Sequence, residues 1–214
     1  MATISSDASP ITARFRTLRD AQRTALVVYV TAGHPTLDAS SRLLRGHEEA
    51  GPDVIEVGVP FSDPMADGHV IQASSQRALA NGMTFDRTLE LIQRASISVP
   101  VVLFTYLNPV LAAGDDAMDR AARAGASGLL ITDLPVGADL ELEQRFAAGP
   151  LDFVRLVAPT TPTERMAHIG RSGSGFVYLI SRLGVTGARA ELAPDLPETI
   201  SRVRQATFLP VCPR

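Results

Sequence analysis

Asp53-Val54-Ile55-Glu56-Val57 runs without a break into Gly58-Val59-Pro60-Phe61-Ser62-Asp63-Pro64-Met65-Ala66-Asp67-Gly68, and this stretch decides how the chain is read. Three of its first five residues are β-branched and apolar, the pattern of a buried strand, with Asp53 at its start and Glu56 in its interior. Strand alternation sends Val54 and Glu56 to one face and Ile55 and Val57 to the other. The loop that follows carries two prolines, two glycines and two aspartates. It exceeds the roughly 2–6 residues of an ordinary βα connection, and longer loops tend to carry function. Helical periodicity resumes at 70–80, so the whole is one βα unit.

The same unit recurs in both directions. Strand patterns fall at 25–31, 53–57, 99–105, 128–132, 152–157, 175–180 and 208–211, separated by helical periods at 37–50, 70–80, 85–96, 115–124, 139–147, 162–170 and 194–205. A further helix is expected over 10–22, ahead of the first strand. Thr36 and Thr161 suit helix N-caps, Pro162 suits a first helical turn, and Gly51, Gly125 and Gly149 suit left-handed C-caps. The Ala-Gly step at 50–52 and again at 124–126 reads as one αβ turn used twice. Strands alternating with helices imply a parallel sheet. Such units close as an open doubly wound sheet or as a (β/α)8 barrel of the TIM type. The barrel is favoured because Thr31, Glu56, Thr105 with Tyr106, Asp133 and Ser181 lie at C-terminal strand ends, where barrel active sites gather. An open sheet wants a glycine-rich phosphate turn after its first strand, and 31–35 offers only Gly33.

Composition removes several chemistries. The chain has 214 residues, 45% hydrophobic and 20% charged, with a formal charge of -3. That is ordinary globular usage, with no electrostatic footprint for nucleic acid or an anionic membrane. All 20 basic residues are arginine, which rules out a lysine Schiff base and a Walker A loop. The one cysteine, Cys212, builds neither a disulfide framework nor a zinc cluster. His34, His47, His69 and His168 lack metal-ligand spacing, so no metal is expected. No basic start with an apolar run opens the chain, and no stretch of 18 apolar residues follows, which reads as a cytoplasmic protein.

Glu56 is the first candidate for chemistry. A carboxylate among apolar barrel residues has its charged form disfavoured, which suits a general acid/base near neutral pH; the alternative is an ion pair with an arginine across the barrel. Asp63 before Pro64 is expected to order a turn by bonding its own backbone. Asp67 is left for substrate, and two carboxylates over one mouth can divide proton transfer and charge stabilisation. Tyr178 alternates onto the same side as Phe176, and reads either as a core tyrosine or as a site residue.

The segment Val57 to Gly68 resembles the signature of the tryptophan synthase α subunit family. Val30-Thr31-Ala32-Gly33-His34-Pro35, Tyr106-Leu107-Asn108-Pro109, Thr132-Asp133-Leu134-Pro135, Leu156-Val157-Ala158-Pro159-Thr160-Thr161-Pro162 and Gly184-Val185-Thr186-Gly187-Ala188 resemble that family's blocks in the same order. The resemblance implies retro-aldol cleavage of indole-3-glycerol phosphate to indole and glyceraldehyde 3-phosphate, without a cofactor on this chain. It implies that Glu56 protonates indole C3 and takes the glycerol hydroxyl proton, while Asp67 binds the indole N–H. The loop 181–189 resembles the family's mobile loop, with Gly187 offering its amide to phosphate and Thr186 orienting the catalytic carboxylate. Phe104 becomes an apolar wall for the indole or plain barrel filling, and Tyr178 a further substrate contact. Tyr106, Asn108, Asp133 and Pro135 fall where the family docks a β subunit that carries pyridoxal phosphate, giving an α2β2 heterotetramer.

The chain departs from the family at its end. A barrel needs about 250 residues, and only seven strand candidates precede residue 214. The expectation is one incomplete barrel domain over 1–214, with 1–9 a disordered tail and the family's last βα unit missing. Its phosphate turns after the seventh and eighth strands would go with it. The competing function is then a truncated, catalytically impaired fragment that at most docks on a β subunit.

Overall fold

The computed structural model describes residues 8–181 and 193–213. Its elements are α1 (Pro10–Asp20), β1 (Val27–Thr31), α2 (Leu37–Ala50), β2 (Val54–Gly58), α3 (His69–Ala80), α4 (Phe85–Ala95), β3 (Val101–Thr105), α5 (Leu107–Ala112), α6 (Ala117–Ala124), β4 (Ala126–Ile131), α7 (Leu140–Ala147), β5 (Asp152–Val157), α8 (Thr163–Arg171), β6 (Val177–Leu179), α9 (Leu196–Ala206) and β7 (Val211–Pro213). The seven strands pair in parallel, in the order β1-β2-β3-β4-β5-β6-β7. Sequential order with a helical crossover at each step is the winding of a TIM-type barrel rather than of a doubly wound sheet, whose strand order reverses. Among the described residues β1 and β7 remain the two edges. A groove of about 710 Å³ lies between them, lined by Leu26, Val27, Phe15 and Val211 among others.

Strand alternation divides the core into two layers. Ile55, Val57, Leu103, Leu129 and Phe153 face outward into the helices, whereas Val54, Val102, Phe104, Leu130, Val154, Phe176 and Tyr178 fill the interior. All five residues of β2 and of β3 are buried, while β1 is half-buried over its first four. The helices bury one stripe each. α4 covers the sheet with Phe85, Thr88, Leu89 and Ile92, the spacing of one helical face, and the Thr84 hydroxyl caps its start by accepting from the Arg87 amide at 3.2 Å.

The expected caps hold at Thr36, which accepts from the Ala39 amide, and at Gly51 and Gly125, whose φ of 85° and 106° only glycine adopts cheaply. Two differ. Thr161 does not cap α8, because its hydroxyl accepts the Ala158 amide in the preceding turn and Pro162 takes the cap position. Gly149 is not a left-handed cap, because α7 ends at Ala148 in right-handed backbone and the Gly149 amide bonds back to Phe146. Residues 1–7 of the expected tail lie outside the described residues. Ser9 caps α1 through its hydroxyl and reaches Asp152 on β5.

One charged pair is buried between sheet and helix. Arg155 of β5 and Glu143 of α7 form an ion pair, exposed by only 3% and 8%. Glu143 also accepts the Gly137 amide at 2.7 Å, which ties the loop after β4 to α7.

Candidate active site

Glu56 stands in the middle of β2, on the interior face, with 1% of its surface exposed. It lies there because Val54 and Glu56 share a face, while Ile55 and Val57 pack outward. The Tyr178 hydroxyl on β6 donates to Glu56 Oε2 across the barrel at 3.3 Å. Phe104 on β3 closes one side, its ring edge-on to Tyr178 with centroids 6.4 Å apart.

Asp67 ends the long loop after β2 and is 5% exposed, so it points into the protein from a loop whose Met65 is 80% exposed. Its backbone is fixed at both ends: the amide bonds to the Pro64 carbonyl, and the carbonyl accepts from Gln72 Nε2 at 2.8 Å. Asp63 accepts the Ser62 hydroxyl, a neighbouring side chain rather than its own backbone as expected, and remains at the surface.

Asn108, Asp133 and Pro135 are exposed at the same end of the sheet. Asp133 accepts the Leu107 amide at 2.7 Å, and so supplies the cap that the start of α5 otherwise lacks. Tyr106 sits differently from its three companions. It is 3% exposed, its ring stacks on Phe61 at 5.1 Å, and its hydroxyl accepts the Ala66 amide at 3.0 Å. Burial, helped by the nearby charges of Asp67 and Asp133, pushes its phenol up to about 12, so it stays protonated. Thr186 and Gly187 lie outside the described residues.

Two site residues were not singled out in the sequence. Tyr29 on β1 is the register partner of Glu56, and its ring meets Phe104 edge-on at 5.4 Å. Its hydroxyl fills the notch over Gly58, where a Cβ would stand 2.0 Å from the phenol oxygen. The signal was present in 27–31, where Tyr29 shares the parity of Val27 and interrupts a run of valines. Cys212 on β7 is the register partner of Tyr178. Burial pushes its thiol up to about 12, with the Glu56 charge adding to the effect. No group of three metal-ligating side chains converges among the described residues.

An interior carboxylate hydrogen-bonded to a phenol, with a second buried carboxylate on the loop above it, can move a proton and stabilise positive charge on one bound ring. The family profile described as "Tryptophan synthase alpha chain" matches residues 15–213. The chain belongs to that family. It is 43% identical over 204 residues to the tryptophan synthase alpha chain of a Picosynechococcus species, covering 94% of this chain and 77% of the relative. It is 46% identical over 194 residues to that of Methanosarcina mazei, covering 90% and 72%. The Mycobacterium tuberculosis tryptophan synthase structure superposes with a TM-score of 0.87 at 36% identity, covering 97% of this chain and 80% of that one. The alpha subunit from Legionella pneumophila gives 0.86 at 31%, covering 97% and 78%. Membership makes the chain a carbon–carbon lyase of tryptophan biosynthesis that cleaves indole-3-glycerol phosphate. The alpha chain needs no cofactor, and pyridoxal phosphate belongs to the β subunit.

Proposed function

We propose that Glu56 and Asp67 divide the family reaction between them. Glu56 delivers a proton to indole C3 and takes the proton of the glycerol hydroxyl, so that the C3–C1 bond breaks as the carbonyl of glyceraldehyde 3-phosphate forms. Asp67 accepts the indole N–H and stabilises the positive charge that the protonated ring carries. Tyr178 holds the Glu56 carboxylate, and Phe104 and Tyr178 wall the indole. The observation that carries this reading is the Tyr178–Glu56 hydrogen bond in the interior layer that holds Val54, Val102, Phe104 and Leu130. Glu56→Gln keeps size and hydrogen-bonding capacity but removes proton transfer. It is expected to lower indole formation by at least about a hundredfold, the usual scale of general acid/base catalysis, with an unchanged thermal transition. Indole released at the parent rate removes the assignment.

The partner reading concerns the rim. Asn108, Asp133 and Pro135 are exposed, and so are the apolar side chains of Met65, Val70, Leu111 and Leu140, all on segments that follow C-terminal strand ends. Large apolar side chains left exposed together with polar ones at one end of a sheet suit a protein partner. The partner is a pyridoxal-phosphate-carrying β subunit, in an α2β2 assembly that receives indole. Asp133→Ala should weaken co-elution with that subunit about tenfold, and undiminished co-elution counts against the docking site. No described helix is long and apolar enough to cross a membrane, and the reading places the enzyme in the cytoplasm.

A further inference from the structure

The family resemblance groups Tyr106 with the docking candidates Asn108, Asp133 and Pro135, but the fold buries its side chain. Tyr106 directly follows Thr105, the last residue of β3, and keeps the inward parity of Val102 and Phe104. The ring therefore passes under the long loop after β2 instead of out to solvent. It meets that loop twice: the face stacks on Phe61 near the loop's start, and the hydroxyl accepts the Ala66 amide near its end. Ala66 is the residue immediately before Asp67. The next amide in the chain, that of Leu107, is held by Asp133 at 2.7 Å. The dipeptide Tyr106-Leu107 is thus clamped between the loop that carries Asp67 and the loop that carries Asp133 and Pro135.

A carboxylate that must meet a ring N–H at hydrogen-bonding distance tolerates little error in its backbone, and groups off by about an ångström lose much of their effect. The Asp67 backbone is secured on one side by Gln72 and on the other through the amide that Tyr106 holds. The remaining loop residues give less support, since Ser62, Asp63, Met65 and Ala66 are all exposed. We infer that Tyr106 is a positioning residue for Asp67: its hydroxyl sets the loop so that the Asp67 carboxylate meets the indole N–H. This rests on the reading of Asp67 given above. Tyr106 itself does not touch the reacting atoms. Because burial keeps the phenol protonated well beyond neutral pH, its oxygen remains a neutral acceptor for the amide throughout the working range.

The test uses two ligands that differ only in the group Asp67 reads: indole-3-propyl phosphate and its indene counterpart, in which carbon replaces the ring N–H. Binding of each to the parent chain and to Tyr106→Phe is measured by calorimetry. The variant keeps the ring stacked on Phe61 and loses only the hydroxyl. The parent is expected to prefer the indole ligand, and Tyr106→Phe to cut that preference about fivefold, the size of one lost hydrogen bond, while indene binding stays constant. Constant indene binding also certifies that the variant is folded. An undiminished preference in Tyr106→Phe overturns the inference, and so does an equal loss of both ligands, which is what a purely structural residue would give. A parent chain that does not distinguish the two ligands removes the role of Asp67, and the inference falls with it.

Discussion

The Tyr178 hydroxyl reaches Glu56 Oε2 at 3.3 Å from a strand 122 residues further along the chain. The bond spans the barrel interior and joins the second strand to the sixth through two side chains of the site.

Tyr178→Phe removes that bond and keeps the ring against Phe104. The contact is long for a hydrogen bond, so a cost near 1 kcal/mol is expected, which is about fivefold in kcat. KM should change little. Steady-state kinetics with indole-3-glycerol phosphate check this, and an unchanged kcat would detach Tyr178 from the chemistry.

Gly58→Ala should damage the site from below. The new Cβ would stand 2.0 Å from the Tyr29 hydroxyl oxygen, and the Tyr29 ring cannot retreat without leaving Phe104. Overpacking of this kind costs about 1–3 kcal/mol. The double variant Gly58→Ala with Tyr29→Leu should recover part of the loss, because the clashing atoms are gone. Urea melts of the parent, the single and the double variants decide it.

The Glu143–Arg155 pair gives a stability prediction independent of activity. Glu143→Gln leaves the Arg155 guanidinium buried without its counter-charge, at a cost of about 3–5 kcal/mol. It also weakens the acceptor for the Gly137 amide. Replacing both partners by apolar residues, Glu143→Leu with Arg155→Met, should cost much less. Comparable melting temperatures for the single and double variants would contradict the argument.

Much of this architecture was written in the pattern of the chain. The strand at 152–157 and the helix at 37–50 have the bounds expected from periodicity, because turn signals or caps stand at their ends. The strand expected at 175–180 is ordered only over Val177–Leu179. Gly175 at its start has a φ of 73°, outside strand geometry. The helix α5 escaped notice because its six residues, with Pro109 among them, are too few to show a period. At the site, Phe104 came only from the family resemblance, whereas the inward direction of Glu56 followed from alternation. The direction of Tyr106 did not, since a residue just beyond a strand can continue the strand's parity or break from it. Tyr29 was hidden for another reason: its position depends on a missing Cβ two residues past its register partner, and that relation joins two strands.

Alkaline stability should report two buried acids. Unfolded, the Cys212 thiol and Tyr106 phenol ionise near their ordinary values of 9.0 and 10.0, whereas burial raises both to about 12 in the folded chain. A raised folded value means that the unfolded chain loses the proton first. The stabilisation is therefore full below about pH 9 and is lost as the pH climbs towards 12. The melting temperature should fall over that window. Cys212→Ala should flatten the fall from pH 9 and Tyr106→Phe from pH 10; parallel curves for all three proteins would refute the linkage. The same protonated thiol should react sluggishly with iodoacetamide at pH 8, which mass spectrometry can follow.

The half-buried first strand has a consequence for how the sheet breathes. Each interior strand of a parallel sheet lends its amides alternately to two neighbours, whereas among the described residues β1 has β2 on one side and the groove on the other. Amide protons of β1 that point towards the groove should swap for deuterium on the timescale of surface turns. Those of β3 and β4, flanked on both sides and roofed by helices, should wait for global opening. Deuterium uptake would then rise from the centre of the sheet towards its rim, and the two edge strands, which carry Tyr29 and Cys212, would be the first parts of the site to loosen.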